Sequence, residues 1–190
     1  MSDLPATTPP ALDGPTSFGV AISIPEPHGS TLQDKRASFG DPLAAGIPSH
    51  ITLLPPDELP GREIACLAAD LEKVAAGTAP FDVALRGTGT FRPVSPVVFV
   101  ALSQGVPEAE RLASELRRSI GAPEPQFPFH PHVTVAHHLD DTALDRAYAE
   151  LADFTCDFRA TEFALYLHDD SAGWTPTLTF PFLGGAAAQS

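Results

Sequence analysis

Cysteine, lysine and long apolar runs are all scarce in this chain of 190 residues, and each shortage removes a class of protein. Two cysteines, Cys66 and Cys156, cannot build a disulfide framework or supply by themselves a cysteine-rich zinc site. No apolar run approaches the ~20 residues that cross a bilayer, so a membrane partner is not expected. The opening MSDLPATTPPALDGPT lacks the basic and apolar regions of a secretory signal, and a soluble cytoplasmic protein is the expectation. Lysine occurs only at Lys35 and Lys73, and 11 basic side chains stand against 24 acidic ones for a net charge of −13. Long nucleic acid is held by rows of Lys and Arg that displace phosphate counterions, and no such row exists here. Contact with RNA is therefore expected only at a short end or a single nucleotide, through a few placed groups.

What is present is a folding composition, 43% hydrophobic and 18% charged, at a length suited to one domain. Residues 1–16 hold four prolines and read as a disordered leader; residues 184–190 (GGAAAQS) read as a disordered tail. A single domain is expected over residues 17–183. Nothing in it reads as a coiled coil or an exposed apolar seam, so a monomer is expected.

Along that domain, strand and helix signals alternate. Strands are expected at Phe18–Ile24, at Ile47–Leu54 (stopped by Pro55 and Pro56), at Phe81–Leu85 and at Val97–Leu102, with Gly87–Ser95 as a turn or hairpin. Further strands are expected at His132–Ala136, Cys156–Leu167 and Thr175–Phe182. Helices are expected at Ser30–Phe39, Asp57–Ala76, Pro107–Ile120 and Asp140–Phe154, the last capped by Asp140 or Asp141. The two halves look alike, each placing a strand with the same short pattern before a helix. That order gives an α+β protein of two similar lobes, each with an antiparallel sheet and flanking helices around a central cleft, and not a doubly wound sheet.

The shared pattern is His50-Ile51-Thr52-Leu53 and His132-Val133-Thr134-Val135. In a strand, residues i and i+2 point to one face and i+1 to the other. Each copy therefore presents an imidazole beside a hydroxyl while Ile51 or Val133 plugs the buried side. With seven His and fifteen Thr, His-x-Thr arises about half a time by chance, and apolar second and fourth positions cut that to about a tenth. Two such matches, each on a strand, point to function.

The chemistry gives the doubling a reason. Opening a cyclic phosphodiester needs a base to activate water and an acid to protonate the departing oxygen. Histidine is the side chain able to supply both forms near neutral pH. The two threonine hydroxyls can donate to non-bridging phosphate oxygens, whose charge grows in the transition state.

On these motifs the chain resembles the two-histidine (2H) phosphoesterase superfamily, which includes the bacterial 2′-5′ RNA ligase / RNA 2′,3′-cyclic phosphodiesterase proteins. The resemblance runs from Phe18 to Phe182. LQDKRASFGDPLAAGIPSHITLLPP is similar to a bacterial branch of that superfamily, with an Arg, then Asp-Pro, then Pro-x-His-x-Thr-Leu. It implies a bilobal fold with His50, Thr52, His132 and Thr134 in a central cleft, and hydrolysis of a cyclic phosphate on a nucleotide or RNA end. It also implies His132 as base and His50 as acid. One position departs from the RNA-acting members, which often carry Arg three residues after the second motif threonine. This chain has His137 there, followed by His138, which favours a small cyclic-phosphate metabolite or nucleotide over long RNA.

Around this set, Arg36 is a candidate phosphate or base contact, His137 a candidate substrate contact at the cleft rim, and Phe39 a candidate stacking surface. Phe129, Tyr166 and Trp174 are further stacking candidates. His130, His132, His137 and His138 invite a zinc site, but no Glu, Asp or Cys at ligand spacing completes it, and neither metal nor cofactor is expected. Three rival functions remain: 2′-5′ RNA ligation by the same site, a nucleotide-binding module without turnover, and a zinc hydrolase.

Overall fold

A computed structural model describes residues 17–58, 64–169 and 173–184. The described residues form β1 (Ser17–Ser23), α1 (His28–Ser38), β2 (His50–Glu58), α2 (Ile64–Gly77), β3 (Phe81–Thr90) and β4 (Val97–Gln104). They continue with α3 (Val106–Ile120), β5 (His132–His137), α4 (Asp141–Glu150), β6 (Thr155–Ala160), β7 (Glu162–Asp169) and β8 (Gly173–Pro181). The expected leader, the tail from residue 185 onward, and residues 59–63 of the helix expected from Asp57 lie outside the described residues. Gly184 is placed, its N–H donating to the Thr78 carbonyl at 2.8 Å. No helix among the described residues is long and apolar enough to cross a membrane.

The strands build two four-stranded antiparallel sheets, ordered β2-β1-β7-β8 and β5-β4-β3-β6. The α+β, two-lobed architecture is thus present. Its lobes, however, are not the two halves of the chain. The single strand expected over Cys156–Leu167 is two strands: β6 pairs with β3 in one sheet, and β7 pairs with β1 in the other. The crossing falls at Thr161 and Glu162, two consecutive exposed polar residues between the alternating β6 and the continuously buried run Phe163–Leu167. One sheet is therefore built from strands consecutive in sequence, and the other joins the first strands to the last.

Two further differences have local causes. β2 does not stop at Pro55-Pro56 but runs to Glu58, and the helix expected from Asp57 is described from Ile64. β2 is an edge strand, where a missing N–H faces away from the ladder, and its register with β1 is irregular at this point. Likewise β3 continues beyond Leu85 into the segment expected as a turn or hairpin, as far as Thr90. Its register with β4 shifts between Leu85 and Thr88, where Gly87 takes a φ of 66°.

Helix ends follow the sequence signals. α4 starts at Asp140, whose Oδ1 accepts from the Ala143 N–H at 2.8 Å. α3 has Pro107 in its first turn, Arg117 and Arg118 in its last, and Gly121 at φ 70° as its stop. α2 packs on α3, while α1 reaches across to β5. The α1 side chain of Lys35 pairs with Glu150 of α4 at 2.8 Å, and the Arg146 guanidinium of α4 lies 5.2 Å over the Phe39 ring. Ile51 and Val133 are buried in the core, as the strand alternation requires. Burial of such a side chain contributes roughly 1.5–3 kcal/mol.

Candidate active site

β2 and β5 are edge strands of different sheets, and they lie beside one another across the interior of the molecule. Each begins with its motif histidine. Their local geometry is the same: His50 Nδ1 is 2.6 Å from the Pro48 carbonyl, and His132 Nδ1 is 2.6 Å from the His130 carbonyl. A carbonyl only accepts, so each Nδ1 carries the hydrogen and each Nε2 is left with its lone pair when the ring is neutral. Thus both rings are fixed in one tautomer by the carbonyl two residues upstream.

Surroundings differ between the two. His50 packs against Tyr166 at 6.0 Å, and the Tyr166 hydroxyl is 2.8 Å from Ser23 Oγ. His132 sits among Phe91 and Phe99, each 5.0 Å away, with the His130 ring at 5.9 Å. Burial holds the His50 pKa below the ordinary histidine value against the Pro48 carbonyl, and the Arg36 charge pushes it the same way as burial. Burial also lowers His132, opposed by the His130 carbonyl and reinforced by the charges of His130 and of His50. The two motif rings therefore sense each other: a proton on His50 disfavours one on His132, which suits a pair that works with one acid and one base.

Thr52 lies on the wall of two cavities. The smaller, about 80 Å³, is lined by His50, Tyr166 and Trp174. The larger, about 470 Å³, is lined by His132, Phe91, Phe127, Phe129 and Arg117. Thr134 is half-buried on the His132 face of β5, paired in register with Phe99.

The remaining candidates occupy varied settings. Arg36 is buried, 4% exposed, with its Nε 2.8 Å from Asp41 Oδ2; Asp41 in turn accepts from the Leu43 N–H through Oδ1. Its charge nevertheless reaches both His50 and His137. His137 ends β5, half-buried, its ring 3.8 Å from that of His138, which has a φ of 52°. Burial, His138 and Arg36 lower the His137 pKa, while Asp41 opposes them. Phe39 is core, with Arg146 over its face. Trp174 and Tyr166 line the His50 cavity and Phe129 the His132 cavity.

Sequence reasoning missed Asp41, Phe91, Phe99, Phe127 and Arg117. Asp41 carried a signal, the Asp-Pro step before the first motif. Phe91 lies within the segment expected as a turn or hairpin, Phe99 lies in the strand that follows it, and Arg117 reads as an ordinary basic residue at a helix end. Only chain packing brings these groups to the motif strands.

Comparison with known proteins agrees with the fold. Residues 24–172 match the family model described as the 2′-5′ RNA ligase superfamily. Two relatives named "Putative phosphoesterase" are similar along most of their length. One, from Geobacillus kaustophilus, is 29% identical over 88% of this chain and 96% of its own. Another, from Bacillus cytotoxicus, is 32% identical over 70% and 74%. Among solved structures, E. coli LigT complexed with 3′-AMP superposes with a TM-score of 0.64 at 22% identity, covering 89% of this chain and 99% of that one. TT0787 of Thermus thermophilus gives 0.61 at 22% identity, with the same coverage. The chain belongs to the 2′-5′ RNA ligase superfamily of two-histidine phosphoesterases.

Proposed function

We propose that this chain hydrolyses a cyclic phosphodiester without a metal ion, acting in the cytoplasm on the 2′,3′-cyclic phosphate of a nucleotide or RNA end, or on a related small cyclic phosphate. The observation that carries the reading is the twin histidine geometry, with each Nδ1 held 2.6 Å from a backbone carbonyl and each Nε2 left for chemistry. In this scheme His132 Nε2 takes a proton from water, and the water oxygen attacks phosphorus. The bond from phosphorus to one ribose oxygen breaks, and His50 Nε2–H delivers a proton to that oxygen, leaving a phosphomonoester. Thr52 and Thr134 donate to the non-bridging oxygens. Arg36 contributes a fixed positive field from beneath the site, and His137 contacts substrate at the rim.

The LigT structures with 3′-AMP, NADP+ and ATP support a nucleotide-sized occupant for this fold. The same step with an RNA 5′-hydroxyl in place of water would break the bond from phosphorus to the 3′ oxygen and join two RNA ends through a 2′-5′ bond, but a net charge of −13 disfavours the handling of long RNA.

The test is hydrolysis of the four nucleoside 2′,3′-cyclic monophosphates in EDTA by wild type, His50→Ala and His132→Ala. Turnover should survive EDTA, and kcat should fall by about 10²–10⁴ in each variant. An aryl ester with a good leaving group should restore part of the His50→Ala loss but none of the His132→Ala loss. Activity abolished by EDTA and restored by zinc would overturn the metal-free reading. Nucleotide binding with no turnover would make the protein a binding module.

A further inference from the structure

The cavity beside His132 is much larger than the reacting phosphate requires, and its walls change chemistry along its length. Thr52, His132 and Phe91, whose ring is 5.0 Å from that of His132, line it together with Phe127, Phe129 and Arg117 of α3. Arg117 also borders the neighbouring cavity beside Pro55, Pro56 and Asp57, so it lies toward the far end of β2 from His50. The three strand steps from Thr52 to Pro55 span about 10 Å. A volume of about 470 Å³ is in the range of a nucleotide-sized ligand. Its walls are largely apolar, suited to stacking a flat base and poorly suited to reading the base's edge. Phe127 is 63% exposed at the mouth, a large apolar surface that a stacked ring would cover.

Arg117 brings a positive charge to that end, where Asp57 and Glu124 also border the neighbouring cavity. In a chain rich in carboxylates, the other arginines near acids are engaged: Arg36 with Asp41, Arg86 with Asp157, Arg92 with Asp145, and Arg159 with Asp82. Arg117 has no ion-pair or hydrogen-bond partner for its side chain among the described residues, although it is half-buried; Arg111 and Arg118 also lack one but are exposed. A half-buried guanidinium on the wall of an apolar pocket is a ready receptor for a second anion.

We propose that Arg117 forms a second-anion subsite, and that the preferred substrate is a nucleoside 2′,3′-cyclic phosphate carrying a further phosphate on its 5′ side. The cyclic phosphate lies at Thr52 and His132, the base stacks among the phenylalanines, and the second phosphate meets Arg117. This specificity rests on the cyclic-phosphodiesterase reading above.

The experiment compares adenosine 2′,3′-cyclic phosphate with and without a 5′-phosphate as substrates of the full-length protein. In parallel, calorimetry compares adenosine 3′,5′-bisphosphate with adenosine 3′-monophosphate as ligands. Wild type, Arg117→Gln and Phe127→Ala are measured. In wild type the extra phosphate should lower KM and Kd about tenfold, the scale of one charge-assisted contact. In Arg117→Gln that gain should shrink below about twofold, while Phe127→Ala should weaken both compounds and keep their ratio. An unchanged ratio in Arg117→Gln, or no gain in wild type, overturns the subsite. If Arg117 served only to complement the end of α3, its replacement would lower Tm and leave the ratio alone. Turnover with no gain from the 5′-phosphate would remove the subsite and keep the diesterase. An Arg117-dependent gain in binding without any turnover would do the reverse.

Discussion

His50 and His132 are pulled two ways by their surroundings. A carbonyl at Nδ1 favours the protonated ring, while burial and neighbouring positive charges favour the neutral one, and burial dominates in both. A folded-state pKa below the ordinary value of 6.5 means that the unfolded chain binds protons more readily. These two rings therefore contribute stability that is present above about pH 6.5 and is lost as pH falls through that value toward their folded pKa values. Denaturant unfolding at pH 7.5, 6.5 and 5.5 should show this loss, and a His50→Asn/His132→Asn double variant should lose less over the same interval. An identical pH slope in that variant would show that burial of these rings does not govern acid stability. At this scale the sequence was informative: the motif, its alternation and its buried plugs Ile51 and Val133 are all visible in eight residues. The Arg36–Asp41 pair was only half visible, because that a charge is buried depends on what packs over it. Such a pair, held at 2.8 Å with the Arg36 charge felt by His50, fixes the guanidinium in position at the cost of desolvating two ions.

Elements matter here through their edges. β2 and β5 are each the last strand of a sheet, so one side of each is free of ladder partners and can border a cleft. Behind β5, the position of the His132 ring depends on Phe99 of β4, which packs on Phe91 at 4.6 Å and faces Gly89 of β3 in register. A Cβ at Gly89 would fall 2.4 Å from the end of the Phe99 ring. Gly89→Ala should therefore push Phe99 toward His132. We expect a loss of roughly 1–3 kcal/mol in stability from the overpacking. We also expect kcat to fall by more than KM changes, because His132 moves relative to phosphorus. A stability loss with unchanged kcat would show that Phe99 yields without moving the histidine. Bulges and edge prolines explain why β2 and β3 outrun their expected ends: composition marks Pro55, Pro56 and Gly87 as breakers, yet an edge or a bulge absorbs each of them.

At the scale of the whole molecule, the two sheets share one continuous core that includes Ile22, Leu53 and Leu165 from one side and Val83, Val100 and Val133 from the other. β6 and β7, one residue apart, tie the sheets covalently, and α1 is ion-paired to α4. Such a molecule should unfold in a single step. Fluorescence of Trp174 on β8, the sole tryptophan, should give the same midpoint as far-ultraviolet circular dichroism. Separate midpoints would show that the lobes fold independently.

What the sequence by itself determined is the set of things that local pattern and composition encode. These are the paired His-x-Thr strands, the helices apart from the start of α2, the α4 cap at Asp140, the α+β class, and a net charge of −13. Tertiary structure alone decided which strand pairs with which. Residues 17–23 reach across the chain to residues 162–169, so the last strands complete the first sheet and β2 is left at its edge. No periodicity reports such a pairing, because alternation fixes which face a side chain takes and leaves the choice of neighbour to long-range burial. The same holds for the cavity beside His132. Its phenylalanines and Arg117 come from the residue after β3, from the segment before β5 and from the end of α3, and only the packed molecule brings them to one place.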